Sequence, residues 1–166
     1  ALTDPEHAEV DIEGAARIGD RIYWIGSHGR NRDGKWRENR LRLFATDLTG
    51  TPGGDVALRP AGQPFSGLLD SLGRDPAFAD LGLAAAIGDP ERRRKELAPK
   101  VEGLNIEGLA PAPDGKGLLI AFRNPRPGEQ ALIVPLLNPD AVLCERQPPR
   151  FGPPILLDLQ GMGIRD

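Results

Sequence analysis

The chain has 166 residues, long enough for one domain with a sizeable core. Charged residues make up 27% and hydrophobic ones 39%, and the net charge is −3, so nothing in the bulk composition attracts nucleic acid or an anionic membrane surface. A single cysteine, Cys144, excludes an internal disulfide, and no apolar run approaches the roughly 18 residues needed to span a bilayer.

A start at Ala1 rather than Met reads as a processed or truncated chain, compatible with cytoplasm or periplasm. Gly (21) and Pro (17) are spread between apolar runs, which predicts many short elements joined by turns. Residues 1–10 are polar and carry no period. Ile12 to Ile18 reads as a short strand, and Gly19-Asp20 as a tight hairpin turn. Arg21 to Gly26 is β-branched and aromatic, the composition of a buried strand. Ser27 to Asn39 is a polar excursion. Arg40 to Asp47 then alternates as a half-buried strand, with a fourth strand near Asp55 to Leu58.

Residues 66–98 read as helical. Ser66 is placed to cap a turn carrying Leu68, Leu69 and Leu72. Asp75-Pro76 reads as an N-cap followed by Pro at the first helical position, and Gly88 as a stop. Asp89-Pro90 predicts a further helix through Glu91 to Ala98. Strands return at Asn105 to Pro111, Leu118 to Phe122, Ala131 to Leu137 and Ile155 to Leu159, with a strong turn at Pro113 to Gly117.

One six-residue phrase occurs twice, as Asp11-Ile12-Glu13-Gly14-Ala15-Ala16 and Asn105-Ile106-Glu107-Gly108-Leu109-Ala110. Each copy is followed by a turn with Asp20 or Asp114, an apolar run, and an Arg-Asn pair (Arg30-Asn31, Arg123-Asn124). Repeated four-stranded meanders predict a mainly β fold: a β-propeller or partial propeller of antiparallel blades with a small helical insertion. A β-sandwich, with the repeat a coincidence, is the rival. The expected blades are 11–60 and 101–159, separated by the insertion at 66–98, with a further blade starting at 161–166. Two blades and a fraction do not close a ring. Self-association, or the remainder of a longer chain, is therefore expected to complete it.

Several phrases resemble a known family: Tyr-Trp-Ile-Gly-Ser-His-Gly-Arg-Asn from Tyr23, Asn-Arg-Leu-Arg-Leu-Phe-Ala from Asn39, and Leu-Asp-Leu-Gln-Gly-Met-Gly-Ile-Arg-Asp from Leu157. With the two Ile-Glu-Gly phrases, they are similar to the bacterial domain-of-unknown-function family numbered 3616, from about Val10 to Asp166. The resemblance implies that the chain is the N-terminal portion of a longer protein. That family has no settled activity. More loosely, the Ile-Glu-Gly strands resemble those of lactonase and phytase-like propellers, whose glutamates can line a central channel and bind a divalent metal.

The residues themselves leave function open between two classes. If the repeats are blades, Glu13 and Glu107 occupy equivalent places on innermost strands. With Asp11 and Asn105 they would offer oxygen ligands suited to Ca²⁺ or Mg²⁺. Equally, each glutamate would be structural, paired with Arg30 or Arg123. His28 is a candidate base or ligand, or a bonded loop residue. The Arg30-Asn31 and Arg123-Asn124 pairs would hold an anionic ligand or staple blades together. The expected function is a propeller-type platform binding a ligand or a protein. The alternative is a divalent-metal-dependent hydrolase with its glutamates in a channel.

Overall fold

The structure, a computed structural model, describes residues 5–50 and 54–165. It is mainly β, with two four-stranded antiparallel sheets and few helices. The first sheet is β1 (Ile12–Ile18), β2 (Arg21–Gly26), β3 (Leu43–Gly50) and β4 (Val56–Phe65), paired in that order. The second is β5 (Asn105–Pro111), β6 (Leu118–Asn124), β7 (Ala131–Leu136) and β8 (Ile155–Leu157), again in chain order. Local chemistry explains both meanders. Gly19, at φ 60°, turns β1 into β2, and Arg17 Nε donates to its carbonyl at 2.7 Å. In the matching turn, Asp114 Oδ1 accepts from the amides of Lys116 and Gly117, which holds its carboxyl below the usual range.

Alternation then sorts the side chains. Tyr23 and Ile25 pair with Ala45 and Leu43 on one face of the first sheet. Leu118 and Ile120 pair with Leu136 and Val134 on one face of the second. Both faces join a single hydrophobic cluster with Leu68, Leu69, Leu72, Phe78 and Leu83. The two Ile-Glu-Gly strands, β1 and β5, lie against each other. A Cβ on Gly14 would sit 2.8 Å from both the Cβ and the amide nitrogen of Leu109, so the close approach requires glycine. The Ile106 amide donates to the Ser27 carbonyl at 2.9 Å and joins the units a second time. Farther out, the Tyr23 hydroxyl and Arg21 Nη1 both donate to Asp140 Oδ1, at 2.5 and 2.6 Å.

Several elements depart from the sequence expectation. β3 begins at Leu43, because Glu38–Arg40 is a 3-10 turn whose Arg40 carbonyl accepts from the His28 amide. β4 runs on to Phe65 despite Pro60 and Pro64, which an edge strand tolerates. In the insertion, α1 (Leu68–Arg74) starts at Gly67 without a side-chain cap, so Ser66 does not cap it. Asp75 does cap the 3-10 turn Pro76–Phe78, accepting from the Ala77 amide, and α2 (Leu83–Ile87) follows a break at Gly82. The helix expected over Glu91 to Ala98 is not formed; that stretch holds turns and one 3-10 turn, Lys95–Leu97. The cause is Arg30, whose guanidinium takes the carbonyls of Ile87, Asp89 and Arg92, while the Arg94 amide donates to Gly34. Those backbone groups serve the loop rather than a helical ladder. A helix the sequence reading omitted, α3 (Pro139–Cys144), uses Pro139 at its first turn and buries Val142 and Leu143. No strand forms at 161–165, and Asp166 lies outside the described residues.

Candidate ligand-binding cavity

The seam between β1 and β5 opens into a cavity of about 340 Å³. Asp11 and Glu13 line it from the first phrase, and Asn105 and Glu107 from the second. Arg32, Arg40 and Lys100 add positive charge, and Ala98, Pro99 and Val101 give an apolar wall. Glu13 and Glu107 also border a second depression that runs along Gly14, Gly108 and Leu109. The two glutamates thus flank one seam.

The second phrase carries most of the buried polarity. Asn105 Nδ2 donates to Glu107 Oε1 at 2.5 Å, and Arg123 Nη1 donates to the same oxygen at 2.9 Å. Arg165 Nε stands 3.9 Å from Oε2. Asn105 Oδ1 and Glu107 Oε2 are left buried with no hydrogen-bond partner. Such orphaned acceptors are uncommon in a folded interior and call for an explanation. In the first phrase, Asp11 Oδ2 meets Arg40 Nη1 at 2.7 Å. Arg40 Nη2 reaches Glu9 at 2.8 Å, and that hydrogen bond holds the Glu9 carboxyl below its ordinary range. Asp11 sits at φ 55° and His28 at φ 54°, so the ends of β1 and β2 both bend through the left-handed region here.

The other candidates are placed differently. His28 is fully buried, with Nδ1 2.9 Å from the Gly26 carbonyl and Nε2 without a partner. Burial pushes its pKa down to about 4, so the ring is neutral at pH 7, with Nδ1 as the donor. Arg30 is 2% exposed and is caged by four carbonyls, those of Gly34, Ile87, Asp89 and Arg92, with Trp36 against its guanidinium. It does not pair with Glu13. Burial, and after it the nearby charge of Arg94, lowers its pKa. Asn31 Oδ1 accepts from the amides of Asp33 and Lys35 and shapes its own loop. Asn124 Nδ2 donates to the Pro99 carbonyl. Arg123 pairs with Glu107 inside one sheet, not between sheets. Arg40, Arg32 and Lys100 were not singled out in the sequence, because nothing in their spacing ties them to the repeat.

Oxygen ligands for Ca²⁺ or Mg²⁺ would have to come from Glu13, Glu107, Asp11 and Asn105. Glu107 is already matched by Arg123, and the described residues contain no group of three or more His, Cys, Asp or Glu arranged to hold a metal ion. The donor set does not favour a divalent ion. No helix among the described residues is long and apolar enough to cross a membrane.

Residues 1–47 match the model of a family described as a protein of unknown function, DUF3616. The match covers 47 of the 166 residues. It spans β1, β2 and the start of β3, and so covers the first Ile-Glu-Gly phrase, His28 and Arg40. No curated protein matches the chain.

Proposed function

We propose that the chain is part of a propeller-type platform whose two sheets are neighbouring blades, and that the cavity on their seam binds a small ligand. Three features support the blade reading: the repeat, the matching strand order of the two sheets, and the packing of β1 on β5. A third sheet, from a second copy or from other parts of a longer protein, would extend the platform. It would lie against Leu119, Ala121 and Ile133 on the outward side of the second sheet. The ligand reading is carried by one observation. Asn105 Oδ1 and Glu107 Oε2, on buried residues of the cavity wall, lack donors. A ligand that donates to them removes the cost of leaving them unpaired, roughly 1–3 kcal/mol each. The volume falls at the lower end of small-molecule pockets, roughly 300–1,000 Å³.

Ligand-observed NMR tests this with four probes: a neutral sugar, a sugar acid, an amino acid, and CaCl₂ followed by a thermal shift. At least one is expected to engage the wild-type chain and to engage Glu107→Gln more weakly. Engagement that is identical in both, or absent for all four, would overturn the reading.

A further inference from the structure

We infer that the cavity takes a small polyhydroxylated anion, a sugar acid or a sugar phosphate. The inference rests on the proposed ligand site and names its ligand class. The buried end of the cavity asks for hydrogen-bond donors. Asn105 and Glu107 are 3% and 6% exposed, and each keeps one oxygen without a donor. Three kinds of group could serve: a metal ion, an ammonium or a hydroxyl.

Charge decides among them. Arg123 Nη1 lies 2.9 Å from one oxygen of Glu107, and Arg165 Nε lies 3.9 Å from the other. Two guanidiniums already face one carboxylate. A further cation would meet their repulsion in a poorly solvated wall, where charges interact more strongly than in water. A neutral hydroxyl meets none, and it supplies the missing hydrogen bond.

The rim carries the opposite demand. Arg32 and Lys100 line the same cavity, are exposed, and make no ion pair or hydrogen bond among the described residues. The carboxylates are spoken for: Asp11 by Arg40, Glu107 by Arg123, and Glu13 by an interaction of its own. The uncompensated charge at the mouth is therefore positive, the setting for a carboxylate or phosphate. Between the two ends, Ala98, Pro99 and Val101 offer an apolar wall for the C–H face of a ring. A cavity of about 340 Å³ accommodates one monosaccharide rather than a chain of them.

Isothermal titration at low ionic strength tests this, since salt screens the rim. The probes are D-glucuronate, D-glucose 6-phosphate, D-glucose, L-lysine and CaCl₂. Both sugar anions are expected to bind, with D-glucose weaker by about 10-fold or more. The tighter of the two anions tells carboxylate from phosphate. An Arg32→Ala/Lys100→Ala double variant should bring the anions down to the level of D-glucose. Both side chains are exposed, so a thermal melt should leave its stability unchanged. Glu107→Gln should weaken all three sugars by about 10-fold, because the amide no longer accepts as a carboxylate. D-glucose binding as tightly as D-glucuronate would overturn the inference. So would L-lysine or CaCl₂ binding where neither anion does, although the ligand site would stand. If none of the five binds, the ligand site itself falls.

Discussion

The two copies of the Ile-Glu-Gly phrase share a backbone and differ in surroundings. In the first, Ile12 is 50% exposed and Asp11 is held from outside by Arg40. In the second, Ile106 is fully buried, and Asn105 and Glu107 are buried in the cavity wall. Their Arg-Asn pairs diverge too. Arg30 is a clamp on the insertion, whereas Arg123 is the counter-ion of Glu107. What recurs is the strand and its glycine. The polar chemistry is set by what covers each copy, so a repeated motif does not imply a repeated site.

Removing the two arginines separates the copies most sharply. Arg30→Met strips donors from four carbonyls and is expected to cost more than about 3 kcal/mol at any pH. Arg123→Met leaves the buried Glu107 carboxylate with only the Arg165 guanidinium, 3.9 Å away, and should cost about 3 kcal/mol. Urea melts of both variants at pH 7 read the difference; a loss for Arg123→Met as large as that for Arg30→Met would contradict the two assignments.

His28 gives the next effect. Its folded pKa of about 4 lies below the ordinary 6.5, so between those values the unfolded chain binds more protons. The neutral ring supports the fold fully above pH 6.5, and that support is lost as pH falls towards 4. The loss is on the order of 3 kcal/mol. His28→Asn tolerates the positive φ and should flatten the slope over that window relative to wild type. An unchanged slope would mean that the ring is hydrated or protonated in the native state.

The glycines of the phrase give a smaller contrast. Gly14→Val should cost about 2 kcal/mol by pushing against Leu109 backbone and side chain. Gly108→Ala should cost less, because its nearest contact is the Ala121 Cβ at 3.0 Å. Equal losses in thermal melts would show that the seam between the strands is not the tight contact. The mildest change is Tyr23→Phe, expected to cost about 1 kcal/mol, since Arg21 remains to hold Asp140.

Strands were legible wherever alternation and a turn residue coincided. Ile12–Ile18, Arg21–Gly26 and Asn105–Pro111 have the bounds read from sequence. Elements governed by distant contacts were not. Glu91 to Ala98 looks helical locally, but the Arg92 carbonyl goes to Arg30, 62 residues away, and the Arg94 amide to Gly34. α3 hid behind Asn138-Pro139-Asp140, which also reads as a strand stop. At the site, Glu13 and Glu107 were legible because the phrase repeats. Arg32, Arg40 and Lys100 reach the cavity from loops and turns without any period.

The account turns on whether the orphaned acceptors of the second phrase face a ligand. A crystal structure with D-glucuronate soaked into the seam reads this directly. The account predicts ligand hydroxyls within about 3 Å of Asn105 Oδ1 and Glu107 Oε2, with the carboxylate towards Arg32 and Lys100. Arg165 closed onto Glu107 Oε2 at hydrogen-bond distance, with no ligand density beside it, would show instead that the phrase is internally satisfied and the cavity is not a site.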